Sequence, residues 1–96
     1  MKEFTTKNGT TLYYEVSYDL GGFNYFTGKN DPRCYRLNIQ RNPQEFAAFT
    51  DLNDESGAVR VVLFEVGRKS KKQLANAEGM ALDTLKKVIN ENYSNL

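Results

Sequence analysis

The alternation of apolar and polar residues predicts two paired strands at the start of the chain. Residues 2–7 and 10–18 flank an Asn-Gly dipeptide, which favours a two-residue hairpin turn because it accepts a positive φ at both central positions. From Leu12 to the end of the second strand, every second residue is apolar or aromatic, as in a half-buried strand. A two-residue turn would pair Phe4 with Tyr13 on the sheet face opposite Leu12.

The same pattern predicts two further strands and a long C-terminal helix. Residues 33–41 alternate as a half-buried strand does, whereas residues 58–66 are apolar on both faces, which indicates a central strand or a strand with a bulge. Ser70 begins a capping box, and the apolar residues after it recur at every third or fourth position. We therefore expect one α+β domain over residues 1–96, an antiparallel sheet of about four strands with the C-terminal helix packed on one face.

Residues 19–32 form the longest predicted irregular segment. They include three glycines, two asparagines and a proline, which interrupt regular structure. They also include Phe23, Tyr25 and Phe26. Two interpretations stay open. In the first, the aromatic side chains close one end of the core or residues 23–27 form a short extra strand. In the second, the segment is a functional contact surface.

A short helix and an acidic loop are predicted before the last strand. Asn42 followed by Pro43 is typical of a helix start, and we expect a helix of about two turns that ends at Phe49. Residues 51–57 are acidic and end in glycine, as in a flexible loop. Their carboxylates lack the spacing of an EF-hand loop, so no metal site is expected there.

The composition excludes several classes of function. The chain has no histidine, which rules out a histidine-based catalytic triad and a zinc site with imidazole ligands. Neither the P-loop motif G-x-x-x-x-G-K-[ST] nor the dinucleotide-binding motif G-x-G-x-x-G occurs. We expect no cofactor. Cys34 is the single cysteine, so no internal disulfide forms and a reducing compartment is expected. The sequence shows no signal-peptide pattern and no apolar run of transmembrane length, so we expect a cytoplasmic protein without membrane contact.

Four cations lie at the start of the predicted C-terminal helix: Arg68, Lys69, Lys71 and Lys72. Positive charges there oppose the positive end of the helix dipole, at a cost of roughly 0.3–1 kcal/mol each when exposed. A bound anion would offset that cost, and the free N–H groups of a helix start also favour one. Phosphate is the natural candidate. The alternative is a solvated turn whose lysines serve solubility.

The polar face of the predicted sheet combines aromatic and basic residues. The predicted register places Phe4, Tyr13, Arg36 and Asn38 on it. Arg60 joins them in one of the registers that stay open for residues 58–66. Sheets that bind single-stranded nucleic acid use rings that stack on bases and cations that follow the phosphates. Ordinary cross-strand pairing or burial in a dimer interface would explain the same residues. The net charge of +1 gives the whole protein no field that attracts nucleic acid.

The order of four strands and a helix, with the basic turn Gly-Arg-Lys-Ser at residues 67–70, resembles that of PC4-like single-stranded DNA-binding domains. This resemblance covers the second half of the chain. It implies a curved antiparallel sheet with basic and aromatic residues, and a helix used for dimerisation. More loosely, the tyrosine-rich residues 13–18 together with residues 21–28 look like segments of small proteins carried by bacterial phages and mobile elements.

From these patterns we expect a small non-enzymatic accessory protein that binds a protein partner or forms a homodimer. The candidate partner contacts or stacking residues are Phe4, Tyr13, Phe23, Tyr25 and Phe26. The alternative function is binding of single-stranded nucleic acid by the sheet face and the basic junction. The candidate nucleic-acid or anion contacts are Arg36, Arg60, Arg68, Lys69, Lys71 and Lys72. A third hypothesis is an enzyme with Cys34 as its nucleophile, activated by neighbouring arginines.

Overall fold

The computed structural model describes residues 1–43, 48–49, 51–68 and 70–96, and for Ala48 and Phe49 it describes the backbone alone. In that part of the chain seven strands precede one helix. The strands are β1 Lys2–Thr5, β2 Thr11–Asp19, β3 Gly22–Asn24, β4 Lys29–Asp31, β5 Cys34–Gln40, β6 Ala48–Phe49 and β7 Gly57–Glu65. The helix, α1, is Lys71–Asn92.

The main sheet has five strands in the order β1-β2-β5-β7-β6, and β3 pairs with β4 in a separate two-stranded sheet. β1 with β2, β2 with β5, and β5 with β7 pair antiparallel, which confirms the predicted antiparallel sheet of four strands. β6 adds a short parallel segment beside Gly57 and Ala58. α1 packs across β2, β5 and β7, so the predicted α+β fold with a C-terminal helix is confirmed.

The core lies between α1 and one face of the main sheet. The buried residues of α1 recur every four positions, which confirms the predicted apolar stripe. They are Ala77, Ala81, Leu85 and Ile89. The buried residues that the sheet adds to the same cluster are Leu12, Tyr14, Leu37 and Ile39. Among the described residues, no helix combines the length and the apolar composition needed to span a bilayer.

The other face of the main sheet points away from α1, and we call it the open face. It carries alternate residues of the four antiparallel strands, as the strand registers show. They are Glu3, Thr5, Thr11, Tyr13, Glu15, Ser17, Asp19, Cys34, Arg36, Asn38, Gln40, Ala58, Arg60, Val62 and Glu65.

The register of the first hairpin differs from the prediction. The turn has five residues, 6–10, closed by a bond from the Thr6 N–H to the Thr10 carbonyl at 2.8 Å. Phe4 therefore pairs with Leu12 and not with Tyr13. Because a shift of one residue moves every side chain to the other face, Phe4 lies on the α1 side and packs against the core. The prediction that Phe4 shares a face with Tyr13 was wrong.

The apolar β7 strand contains a bulge, one of the two predicted alternatives. Arg36 pairs with Val62 but its neighbour Tyr35 pairs with Phe64, so Leu63 is an extra residue on the β7 side. The bulge explains why apolar residues follow one another here. Leu63 packs against the core, whereas Val62 lies on the open face and is 50% exposed.

The helix predicted over residues 43–49 falls mainly on residues 44–47, which lie outside the described residues. Its predicted end was wrong, because Ala48 and Phe49 pair with β7 as a strand. The acidic loop that follows is anchored by Leu52. This side chain is fully buried, and its carbonyl accepts a hydrogen bond of 2.7 Å from the Arg41 guanidinium.

Candidate functional site

Residues 20–31 form an ordered hairpin that projects from the end of β2, and we call it the aromatic hairpin. β3 and β4 pair from Gly22 with Asp31 to Asn24 with Lys29. The tip is held by the Asn24 side chain, whose Oδ1 accepts from the N–H groups of Phe26 at 2.9 Å and of the next residue at 3.3 Å. The segment predicted to be irregular therefore has a defined structure of its own.

The base of the aromatic hairpin depends on Gly21. This residue has a φ of 71°, a conformation that glycine adopts without steric cost. A Cβ added there would lie 2.3 Å from the Asp31 carbonyl oxygen, a clash with backbone that no side chain could avoid. The Gly21 N–H also donates to Asp19 Oδ1 at 2.8 Å. The sequence therefore sets a sharp exit from β2 and fixes where the hairpin starts.

The apolar side chains of the aromatic hairpin face water. Phe26 is 101% exposed, Tyr25 89%, Leu20 71% and Phe23 53%. The Phe23 and Tyr25 rings contact each other edge to face, with centroids 4.9 Å apart at 84°. The interpretation that these aromatic residues close one end of the core was therefore wrong. The expected strand over residues 23–27 was correct only in part, because β3 covers Gly22–Asn24 and residues 25–28 form a turn.

Such exposure is unusual for side chains of this kind. A buried aromatic side chain removes about 150–250 Å² from water, at roughly 25 cal/mol per Å². Single exposed apolar residues are common on monomers, but four within a seven-residue segment are a concentration that favours an interaction site. The aromatic hairpin is the strongest candidate for a binding surface in the described part of the chain.

The open face brings together the other sheet residues predicted for a site: Tyr13, Arg36, Asn38 and Arg60. Its polar groups largely bond to one another. Asn38 donates to Ser17 Oγ at 2.8 Å and accepts from Arg60 Nε at 3.0 Å. Arg36 Nε lies 2.9 Å from Asp19 Oδ2 and forms an ion pair, although the angle is not that of a hydrogen bond. The two arginines are thus engaged within the protein.

The charge of the open face also differs from that of a nucleic-acid-binding sheet. Four carboxylates lie on it: Glu3, Glu15, Asp19 and Glu65. Two guanidinium groups, those of Arg36 and Arg60, oppose them. A surface with more acidic than basic groups repels phosphates, so its charge does not favour a nucleic acid ligand.

The basic junction before α1 is an ordinary capped helix start with exposed cations around it. Ser70 Oγ accepts from the Gln73 N–H at 3.2 Å, which confirms the predicted N-cap. Arg68, Lys71 and Lys72 are exposed, and no acidic residue occupies the first turn. Lys69 lies outside the described residues. Arg68 precedes the helix, Lys71 and Lys72 begin it, and none of the three is among the residues of the open face.

No protein-family model, no curated protein and no solved structure matches the chain. The resemblances to PC4-like domains and to phage-borne proteins therefore stay predictions.

Cys34 begins β5 on the open face, as predicted, but its side chain is 2% exposed. A thiol that acts as a nucleophile needs access to its substrate. We expect a thiol reagent such as dithionitrobenzoate to label Cys34 at least about a hundredfold more slowly in the native protein than in urea, because labelling requires local opening. Labelling of the native thiol at the unfolded rate would contradict this burial and would favour the enzyme hypothesis.

Sequence reasoning named the three aromatic residues of the hairpin but missed Leu20 and Val62, which are also exposed. A signal for the hairpin was present. Asn24 precedes Gly28 by four residues, and its side chain can accept from the backbone within a turn. Val62 shares the open face with Arg60 by two-residue alternation, but that alternation gave no signal that Val62 is 50% exposed.

Proposed function

We propose that this protein is a small accessory protein that acts through protein–protein contact and catalyses no reaction. The aromatic hairpin is the main contact, and the neighbouring open face extends it. One observation carries the proposal: Leu20, Phe23, Tyr25 and Phe26 are exposed on a hairpin whose backbone is already ordered. The single, buried thiol of Cys34 fits a reducing cytoplasmic setting, which we include in the proposal.

The aromatic hairpin has the chemistry of a protein-binding surface. Aromatic residues are enriched at the centres of protein interfaces, where a few of them supply most of the binding energy. Tyr25 has a polar end that can bond to a partner while its ring is buried. Because the turn is held by Asn24, little backbone freedom is lost on binding, which favours affinity.

Site-specific photo-crosslinking tests this proposal. A photoreactive phenylalanine analogue replaces Phe26 in one variant and Leu82 on the exposed side of α1 in another. Both positions are exposed and apolar. In the cells that produce the protein, we expect one discrete crosslinked species from position 26 and a weak, diffuse background from position 82. Equal patterns from the two positions would contradict a binding role of the hairpin.

Single-stranded nucleic acid binding remains the second proposal, favoured by the exposed cations Arg68, Lys71 and Lys72 at a helix start without acidic residues. These groups are separate from the acidic open face, so few phosphate contacts are available. If the hairpin account is correct, we expect no mobility shift of single-stranded oligonucleotides at physiological salt. A shift that weakens steeply with added salt, and that the triple serine variant of the three residues removes, would favour nucleic acid binding instead.

A further inference from the structure

The aromatic hairpin and the start of α1 lie at the same end of the main sheet. The last row of paired residues there joins the end of β2, the start of β5 and the end of β7. Beyond this row the Val66 N–H donates to the Arg33 carbonyl at 2.8 Å, and the Arg33 guanidinium donates to the Gly67 carbonyl at 3.3 Å. The Tyr35 hydroxyl donates to the Ser70 carbonyl at 3.3 Å, so the helix start is held at this end as well.

Five exposed cations lie on the aromatic hairpin, at its base and at the start of α1, and we call them the hairpin-end cations. They are Lys29, Arg33, Arg68, Lys71 and Lys72. In the part of the chain that the structure describes, none of the five forms an ion pair. Two exposed carboxylates, those of Asp31 and Glu65, lie at the same end. Because the whole chain has a net charge of +1, the rest of the molecule is net negative, and positive charge is concentrated beside the exposed rings.

An acidic protein surface complements this end of the molecule better than a nucleic acid does. Leu20 is 71% exposed, and an aliphatic side chain gains from burial in an apolar cleft but does not stack on a base. The rings of Phe23 and Tyr25 meet edge to face, so they do not offer two open faces to successive bases. The carboxylates of Asp31 and Glu65 repel a continuous run of phosphates, whereas a protein can place its own carboxylates away from them.

We propose that the partner of the aromatic hairpin is a protein whose docking surface combines an apolar cleft with a neighbouring group of carboxylates. The cleft takes the exposed rings, and the carboxylates face the hairpin-end cations. A standard interface covers roughly 800 Å² per partner, which is wide enough to include both. The inference rests on the proposed protein-binding function and adds the chemistry of the partner.

The charges also fix the orientation of the contact. Lys71 and Lys72 belong to α1 and so lie on the helix side of the main sheet, whereas Glu15 and Glu65 lie on the open face. A partner that docked with its carboxylates toward the open face would meet like charges, which oppose that orientation. Exposed charges act mainly on the rate of encounter, while buried rings set the rate of dissociation.

Charge reversal at the start of α1 tests the inference in the cells used for crosslinking. Arg68→Glu, Lys71→Glu and Lys72→Glu are combined in the protein that carries the photoreactive analogue in place of Phe26. We expect the yield of the discrete crosslinked species to fall at least about tenfold. The helix dipole favours carboxylates in the first turn, so the variant should be at least as stable as the wild type, which circular dichroism verifies.

The matched control changes the net charge equally at exposed positions far from the hairpin. It combines Lys7→Glu in the first hairpin turn with Lys86→Glu and Lys87→Glu in the second half of α1. This variant should crosslink from position 26 as the unchanged protein does.

Stopped-flow kinetics with the captured partner, once purified, measure the role of the charges directly. The association rate constant should fall at least about tenfold in the charge-reversal variant, while the dissociation rate constant changes less than about threefold. Replacement of Tyr25 and Phe26 by serine should instead act mainly on dissociation.

The outcomes separate this inference from the proposed function. If position 26 gave no discrete species even without charge reversal, both would be overturned. A discrete protein adduct whose yield charge reversal leaves unchanged would keep the hairpin as a protein contact and overturn the acidic partner. Equal loss in the control variant would overturn it too, because the total charge and not its position would then matter. A crosslinked species that nuclease shortens would make nucleic acid the occupant and overturn both.

Discussion

Replacing Leu85 by alanine is expected to lower the free energy of unfolding by about 2–5 kcal/mol. Leu85 is fully buried where α1 crosses the sheet, in one cluster with Leu37 and Ile39. The loss combines the transfer free energy of the removed methyl groups with the cost of the cavity they leave. A single domain is stable by only about 5–15 kcal/mol, so the effect is large. Urea denaturation followed by circular dichroism measures it.

Leu82→Ala is the matched control for this prediction. Leu82 lies on the same helix three positions earlier and is 38% exposed. We expect a loss below about 1 kcal/mol, since partly exposed positions bury less area and leave no closed cavity. If both variants lost the same stability, the assignment of the buried side of α1 would be incorrect.

Replacing both Tyr25 and Phe26 by serine is expected to weaken binding to the crosslinked partner by at least about a hundredfold. Truncation of a central aromatic residue in an interface typically costs about 2 kcal/mol or more. A hundredfold loss of affinity corresponds to about 2.8 kcal/mol, so two such truncations exceed it. The turn bonds of Asn24 go to backbone N–H groups, so serine preserves them. Stability should change by less than about 1 kcal/mol. Isothermal titration with the purified partner gives the affinity.

The control for the hairpin variant is Met80→Ser with Leu82→Ser, which removes exposed apolar surface from α1. This variant should bind as tightly as the wild type. Equal weakening by the two double variants would show that general surface hydrophobicity drives the association. Unchanged affinity of the hairpin variant would remove the aromatic hairpin from the binding site.

The main elements of the fold follow from local patterns. α1 was predictable because its apolar residues recur at helical spacing. Its start was predictable because Ser70 is a favoured N-cap residue, whose hydroxyl accepts from the Gln73 N–H. β2 and β5 were predictable because polar and apolar residues alternate along them, with the apolar residues facing α1. The polar face of β5 is nevertheless buried or half-buried. In these elements local preference and tertiary packing favour the same structure.

The register of the first hairpin could not be derived from its dipeptide alone. Asn-Gly favours a two-residue turn, but the turn here has five residues and Thr6 contributes two contacts that the pattern does not show. Its Oγ1 donates to the Leu96 carbonyl at 2.5 Å and accepts from the Thr10 N–H at 3.1 Å. A contact between opposite ends of the chain therefore accompanies the longer turn, and this turn places Phe4 in the core.

The candidate site was only partly predictable because composition does not report exposure. Phe23, Tyr25 and Phe26 were named from sequence, yet aromatic residues in a loop are equally suited to plug a core or to face water. Whether the rings are buried or exposed depends on the path of the hairpin backbone. Gly21 sets its exit from β2 and Asn24 fixes its turn. Burial of one face is a property of the assembled chain, so the sequence pattern left both interpretations open.

The most direct test of the account is the solvent accessibility of the hairpin rings in the free protein, measured by NMR with a soluble paramagnetic agent. We predict that ring protons of Tyr25 and Phe26 relax strongly, whereas those of the fully buried Tyr35 are nearly unaffected. If the Phe26 ring were as protected as that of Tyr35, the hairpin would fold back onto the protein and could not serve as a ready contact surface.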